Sequence, residues 1–182
     1  MNICVYGASS DSIRGVYIQE TERFGKELAL MGHTLVFGGG ATGLMGAAAR
    51  GAYSAGGNII GIAPSYFDKP GILFENCSEM IHTDNLKERK RLMEEKSDAF
   101  VMLPGGIGTF DEFFETIVMR QLGEHEKPVA VFNINNYYSL LDDLIKKARD
   151  EGFLPQSAQG LYGVFSDIKM LLGYLKENKP EY

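Results

Sequence analysis

The chain has 182 residues, of which 45% are hydrophobic and 23% charged, a composition typical of one globular domain. Its net charge of -6 argues against a surface that coats nucleic acid, because phosphate backbones are bound mainly by clustered lysine and arginine. Cys4 and Cys77 have no C-x-x-C spacing and the three histidines are scattered, so we expect no metal, no other cofactor and no disulfide framework.

The first residues lack the basic segment of a signal peptide, and no apolar run is long enough to cross a bilayer. We therefore expect a cytoplasmic protein that has neither a membrane nor a nucleic acid as a partner.

Short runs rich in Val, Ile and Phe alternate with longer segments of helical period, which is typical of a parallel sheet covered by helices. Strands are predicted at 3–6, 34–37, 58–62, 79–82, 100–103 and 129–132. Helices are predicted near 15–31, 43–55, 85–96, 110–122, 137–150 and 166–177. This alternation predicts one α/β domain over 1–182, a Rossmann-like doubly wound parallel sheet flanked by helices.

Turn and cap residues agree with these boundaries. The glycines that follow strands, which are Gly7, Gly38 to Gly40 and Gly105-Gly106, are expected to supply the positive φ of tight strand-to-helix turns. Asn136 is expected to cap the helix at 137–150, and Gly152 and Pro155 to end it. The last helix carries Ile168, Leu171, Leu172 and Leu175, for which a place in the core is favoured over a dimer interface.

The first glycine block, 38–43, satisfies G-x-G-x-x-G after a strand and before a helix of small residues. NAD binding is disfavoured, because no carboxylate follows until Asp68, whereas a ribose hydroxyl needs one about twenty residues on. Two interpretations remain: Gly39, Gly40 and Gly43 contact a phosphate or sugar, which we favour, or they only allow the helix to pack closely on the sheet.

A second glycine loop, 103–112, is the most informative stretch of the chain. Its three glycines let the backbone approach a ligand, and the helix that follows directs free N–H groups and its positive dipole end to the same place. The Lys-Ser/Thr end of a Walker A loop is missing, so ATP hydrolysis by that route is not indicated. Thr109 and Glu112 also fit a T-x-x-E capping box, but Glu115 on the same helical face as Glu112 favours a functional site.

The helix at 85–96 places Arg89 and Lys90 on an apolar stripe through Leu86 and Met93. Charged residues occupy such a stripe when they are paired or face a cleft, and Arg89 would then face Glu112. The pattern alone slightly favours a solvated basic face. Ser9, with Ser10 beside it, adds a hydroxyl donor after the first strand.

Together these stretches resemble the Lonely Guy (LOG) family, phosphoribohydrolases that release the base from cytokinin riboside 5′-monophosphates and often from AMP. The resemblance spans nearly the whole chain. It is carried by the block at 38–46, by the diagnostic P-G-G-x-G-T-x-x-E at 104–112, by Arg89-Lys90 with Met93, by Gln121-Leu122-Gly123 through Lys127-Pro128, and by Tyr137-Tyr138.

The resemblance implies a homodimer that acts on a small-molecule nucleotide without a cofactor. It implies that Arg89 and Glu112 are catalytic and that a set of neighbouring residues binds substrate. That set is Lys90, Gly105, Gly106, Ile107, Gly108, Thr109, Phe110 and Asp111, to which the glycine block and Ser9 are added. The chain departs from the family at Ala8, where relatives have glycine, and near Gly71, where they carry an acidic substrate contact.

Glu112, held at a helix N-terminus, is expected to stay ionised and to stabilise an oxocarbenium-like state or orient water, while Arg89 cannot act as a base. The alternative is a non-catalytic nucleotide or molybdenum-cofactor carrier on the same fold. Lysine decarboxylation, a label that relatives have received, needs a Schiff-base lysine, and no lysine has a suitable setting. Single-strand DNA binding conflicts with the acidic charge.

Overall fold

The computed structural model describes residues 1–180. The strands are β1 (Asn2–Tyr6), β2 (Thr34–Phe37), β3 (Ile59–Pro64), β4 (Glu79–Thr83), β5 (Ala99–Met102), β6 (Val129–Phe132) and β7 (Gly163–Phe165). The helices are α1 (Gly15–Leu30), α2 (Gly43–Ser54), α3 (Leu86–Glu95), α4 (Ile107–Leu122), α5 (Ser139–Asp150) and α6 (Ile168–Glu177). Within this described part of the chain, no helix combines the length and the apolar character needed to cross a membrane.

All neighbouring strands are parallel, in the order β4-β3-β2-β1-β5-β6-β7. The chain runs outward from β1 to β4, returns to β5 on the other side of β1, and runs outward again. Connections therefore leave β1 and β5 in opposite directions, and the gap between their carboxyl ends is the place where such sheets bind ligands. The predicted doubly wound parallel sheet is confirmed.

Helices cover both faces of the sheet, and each face has its own core. On one face, α1, α2 and α6 bury Phe24, Ala48 and Leu172. On the other, α3 and α4 bury Met93 and Phe113, and α5 packs more loosely. The expectation that the apolar side of the last helix belongs to the core is confirmed, because Ile168, Leu171, Leu172 and Leu175 are all buried.

The seventh strand was not predicted. Its three residues pair with β6 in register Ala130↔Gly163 to Phe132↔Phe165, and three residues are too few to show a period. The last helix consequently begins at Ile168 rather than 166, where the Asp167 side chain accepts a hydrogen bond from the Met170 amide at 2.9 Å.

The expected role of the turn glycines is wrong for all but one of them. Among Gly7, Gly38 to Gly40 and Gly105-Gly106, only Gly39 has a positive φ, of 77°. The expected cap at Asn136 is also wrong, because α5 begins at Ser139 and Asn136 itself has φ 57°. Asn133 Oδ1 instead accepts from the Tyr138 amide at 2.7 Å, whereas Gly152, with φ 83°, follows the helix end as expected.

Candidate active site

A cleft of about 290 Å³ opens at the carboxyl end of the sheet, where β1 and β5 lie side by side. It is lined by Gly7, Ala8, Ser9 and Ser10 after β1, by Met45 of α2 and Arg89 of α3, and by Gly106, Gly108, Thr109 and Glu112 at the start of α4. Side chains from four separate segments therefore converge at the point where the topology predicts a ligand site.

Arg89 and Glu112 form an ion pair inside this cleft, with Nη2 and Oε1 2.8 Å apart and side chains only 13% and 10% exposed. The interpretation that Arg89 faces a cleft and Glu112 is confirmed, and a solvated face is wrong for this residue. The Arg89 Nε is buried and has no acceptor among residues 1–180. The guanidinium therefore keeps a donor that its carboxylate partner does not use.

The position of Arg89 depends on Gly38, which was predicted as a turn residue and not as a contact of Arg89. A Cβ on Gly38 would overlap Nη2 and Cζ of Arg89, so the guanidinium lies directly against the backbone at the end of β2. The run of three glycines at 38–40 is the sequence signal for this contact. Only Gly39 has a positive φ, so the other two glycines need a different reason, such as a close contact.

Burial raises the pKa of Glu112, and the Arg89 guanidinium opposes that effect without cancelling it. The helix N-terminus is not the stabilising group that the sequence analysis expected, because α4 begins at Ile107 and Glu112 lies beyond its first turn. The second carboxylate oxygen, Oε2, accepts no hydrogen bond from the described residues and is not among the buried polar atoms. That oxygen is free for a ligand.

The start of α4 presents backbone donors to the same cleft. The amides of Ile107, Gly108 and Thr109 have no acceptor within residues 1–180, whereas the next amide, of Phe110, donates to Gly106 O at 3.0 Å. Nothing lies within 4 Å of where a Cβ would sit on Gly106 or Gly108. Because these amides have no acceptor and the space beside them is unfilled, the start of α4 is suited to bind an anion.

The capping-box interpretation of Thr109 and Glu112 is wrong. A capping box needs Thr109 just before the helix, but α4 already begins at Ile107, and its start has no side-chain cap. The Thr109 hydroxyl lies instead where a Cβ on Gly105 would sit, and Glu112 is bonded to Arg89. The Thr109 side chain therefore fits in this position because residue 105 is a glycine.

The first glycine block serves packing in this structure. The first amides of α2 are already used, since those of Leu44 and Met45 donate to Ala8 O at 2.8 and 3.3 Å. Gly43 has φ 59°, and a Cβ there would overlap the same carbonyl. Neither Gly43 nor the other two predicted contacts, Gly39 and Gly40, lines the cleft. The contacts that the structure shows here are close packing of α2 against the loop after β1, and a ligand contact at these glycines stays a prediction.

Other predicted contacts also lie outside the cleft. Lys90 Nζ bonds Asp111 Oδ2 at 3.0 Å and Glu115 Oε2 at 2.5 Å, a second link between α3 and α4. Burial would lower the pKa of Lys90, but these two carboxylates raise it overall. The Phe110 ring packs on Tyr138 at 6.2 Å, and Ile107 has an exposed side chain and does not line the cleft.

A larger cavity, of about 490 Å³, lies beside the edge strand β4 under the loop that contains Gly71. Its ionisable groups include Asp68 and His82, which are 3.9 Å apart and exposed. It lacks a buried ion pair and a helix start, and it lies away from the β1–β5 gap, so the smaller cleft is the candidate active site. Among residues 1–180, no group of three or more His, Cys, Asp or Glu side chains could hold a metal ion.

Comparison with known proteins gives consistent matches. A protein family described as "Possible lysine decarboxylase" matches residues 45–175. A probable cytokinin riboside 5′-monophosphate phosphoribohydrolase of Oryza sativa subsp. japonica is 38% identical, over 98% of this chain and 78% of that protein. A cytokinin riboside 5′-monophosphate phosphoribohydrolase of Arabidopsis thaliana is 37% identical, over the same 98% and 78%.

Among solved structures, the molybdenum cofactor binding protein from Rippkaea orientalis superimposes with a TM-score of 0.75. The match covers 97% of this chain and 95% of that protein at 22% sequence identity. At that identity the similarity establishes a shared fold.

Proposed function

Since the chain belongs to the LOG family of cytokinin riboside 5′-monophosphate phosphoribohydrolases, we propose that it hydrolyses the N-glycosidic bond of cytokinin riboside 5′-monophosphates and of AMP. The products are the free base and ribose 5-phosphate. The observation that carries the proposal is the buried Arg89–Glu112 pair, which shares one cleft with the open start of α4. The expected cytoplasmic location stays a prediction.

The 5′-phosphate binds at the start of α4. The free amides of Ile107, Gly108 and Thr109 donate to its oxygens, and the helix dipole favours its charge. Ser9 lies across the cleft, where its hydroxyl reaches the same group. Binding energy from this remote phosphate fixes the sugar without taking part in the reaction. Lys90 and Asp111 act outside the cleft, where their ion pair joins α3 to α4.

Bond cleavage passes through a sugar that carries positive charge at its anomeric carbon. The free Oε2 of Glu112 stabilises that charge and accepts a proton from the attacking water. The water oxygen bonds to the anomeric carbon, and the electrons of the broken C–N bond leave with the base. The base takes up one proton, the equivalent of the one that Glu112 accepted and then releases. The net reaction adds one water to the nucleotide.

Arg89 holds Glu112 and assists the leaving group. A guanidinium has five N–H donors and no acceptor, so the part of Arg89 is to donate hydrogen bonds. One Nη2 donor keeps Glu112 Oε1 in place, which leaves Oε2 turned to the substrate. The buried, unpartnered Nε marks a donor whose acceptor is missing until a ligand binds, and a nitrogen of the departing base is a suitable one.

The protein acts as a homodimer, and α4 supplies the interface. Four exposed apolar side chains follow one face of this helix, separate from Glu112: Ile107, Phe114, Val118 and Leu122. An exposed apolar stripe marks an interaction surface, and this one begins at the substrate-binding helix start. A second copy of the chain covers this stripe.

Light scattering tests the dimer. The variant Val118→Asp should be a monomer, and Leu30→Asp, at an exposed position of α1, is the control. A monomeric native protein would contradict the proposal.

Pyridoxal-dependent lysine decarboxylation does not fit the site. Within residues 1–180 no lysine lines the cleft, and the neighbouring Lys90 is paired with two carboxylates. A Schiff-base lysine is therefore missing. A carrier role rests on the shared fold alone, since the similarity to the cofactor-binding protein is at 22% identity.

The test is to incubate the purified protein with AMP and, separately, with isopentenyladenosine 5′-monophosphate, and to chromatograph for free base and ribose 5-phosphate. The native protein should release base, and Glu112→Gln should be slower by about a hundredfold or more. Glu115→Gln, three residues along the same helix and outside the cleft, is the matched control. Tight nucleotide binding without base release would favour a carrier, and an active Glu112→Gln would remove the assignment.

A further inference from the structure

We propose that Met45 contacts the base of the bound nucleotide and is a base-binding residue of the cleft. This inference rests on the proposed function, because it places a nucleotide in the cleft with its phosphate at α4. It concerns a side chain that neither the ion pair nor the phosphate site uses.

Met45 is the only large apolar side chain among the ten residues that line the cleft. The others are glycine, alanine, serine and threonine, together with the Arg89–Glu112 pair. Phosphate and sugar are polar and suit those groups. A purine ring has two apolar faces, so it gains most where it meets an apolar side chain.

The position of Met45 agrees with this division of the cleft. Its Cε lies 2.9 Å from where a Cβ on Gly40 would sit, so the thioether lies against the loop that follows β2. Arg89 lies against Gly38, which is the first residue of the same loop. The phosphate site belongs to the loop after β5, two strands away in the order β2-β1-β5, which is ~10 Å at the usual strand spacing.

A nucleotide with its phosphate on the α4 amides and its anomeric carbon at Glu112 therefore directs its base toward the end of β2. There the base meets Met45. The backbone of this residue is fixed, since its amide donates to Ala8 O at 3.3 Å in the first turn of α2. Only its flexible side chain adjusts, and it remains half-buried beside the core.

A thioether suits this role for two reasons. Sulfur makes favourable contacts with aromatic rings, and the unbranched side chain adapts to rings of different outline. It therefore accepts bases that differ in the group on the exocyclic amine. Arg89 supplies the polar contact to the ring, and Met45 packs against its apolar face.

The test compares two ligands that differ by the base. Affinities for AMP and for ribose 5-phosphate are measured by calorimetry in the Glu112→Gln protein, which holds AMP uncleaved, and again after Met45→Ala. We expect the affinity for AMP to fall roughly tenfold and that for ribose 5-phosphate to stay unchanged. Met45→Leu should recover most of the loss, because it keeps the apolar volume. Met170→Ala, on the exposed side of α6, is the matched control.

An equal loss for both ligands would assign Met45 a structural role, and no loss for either would place the base elsewhere; both results overturn the inference. A failure of the proposed function has a different signature, since the native protein would then release no base while the two affinities could still be measured.

Discussion

The guanidinium of Arg89 occupies the space in which any residue other than glycine at position 38 would carry its Cβ. Gly38 directly follows β2 and Arg89 lies on α3, so the contact joins the carboxyl end of β2 to α3. Together with the bond to Glu112, it holds the guanidinium on two sides. The position of Arg89 therefore depends on Gly38, which is distant from it in the sequence.

Gly38→Ala should lower turnover while leaving the protein folded. The overlapping atoms belong to the far end of a flexible side chain, so Arg89 can move aside and the fold tolerates the methyl group. Its link to Glu112 is then lost, and we expect turnover to fall by about tenfold or more. Steady-state kinetics and thermal unfolding measure the two effects.

Gly173→Ala is the matched control for this substitution, because Gly173 lies in α6 with nothing within 4 Å of an added Cβ. It should keep full activity. Unchanged turnover in Gly38→Ala would show that Arg89 does not depend on this contact.

The sequence predicted the fold well because the signals were long and redundant. Alternating apolar runs predicted six strands of a doubly wound parallel sheet, whereas the three-residue β7 carried no period of its own. The capping-box alternative arose because the helix was predicted to begin at 110, directly after Thr109, whereas α4 begins at Ile107.

The site was predicted unevenly for a related reason. Residue types could indicate that Arg89 and Glu112 face each other, but not that Lys90, one position further, turns to Asp111 outside the cleft. The glycine motifs could not distinguish a ligand contact from a backbone contact. That distinction depends on Ala8, whose carbonyl takes the first amides of α2, and such a long-range contact leaves no local pattern.

Glu112→Gln should retain or raise the melting temperature at neutral pH while it lowers turnover by about a hundredfold or more. Burial raises the folded-state pKa of Glu112 above its ordinary 4.5. The stability that protonation contributes is therefore full below that value and is lost as the pH rises through the folded pKa. Gln resembles the protonated acid, so the variant avoids this loss. Thermal unfolding near pH 7 measures the change in melting temperature. A large drop in the variant would contradict the expectation that the ionised Glu112 lowers stability.

The same raised pKa sets the acidic limit of activity. Since Glu112 must be ionised to stabilise the sugar and accept a proton, kcat/KM should fall on the acid side at a pH above the ordinary 4.5 of a glutamic acid. A pH profile of AMP hydrolysis tests this. The control variant Glu115→Gln should lose activity over the same acidic range as the native protein. An acid limb at or below 4.5 would show that the titrating group is not a buried carboxyl.

Nucleosides without the 5′-phosphate should be very poor substrates. The three free amides at the start of α4 would then have no anion to bind, and the energy that fixes the sugar would be lost. Rates of base release from AMP and adenosine, compared at equal concentration, measure the effect. Equal rates would remove the phosphate site from the proposal.

The protein should lose stability as the pH falls below about 6.5, in part because of His125. Burial lowers the pKa of His125, with Lys127 adding to the effect, and burial likewise lowers that of His33. The unfolded chain then binds more protons than the folded one between the folded pKa and the ordinary value of 6.5. Stability is complete above that window and declines within it.

The structure indicates why protonated His125 is tolerated poorly. Its Nε2 lies 3.2 Å from Thr116 O in the helix that carries Glu112, while its Nδ1 is buried without a partner among residues 1–180. A proton on Nδ1 would be a buried donor with no acceptor. His125→Gln keeps an amide donor for Thr116 O and removes the titration. Its melting temperature should therefore fall less than the native one between about pH 7.5 and about pH 5.5. His82→Gln, at the exposed edge strand, should follow the native protein, and identical pH dependence in all three would exclude His125 as a source of the acid sensitivity.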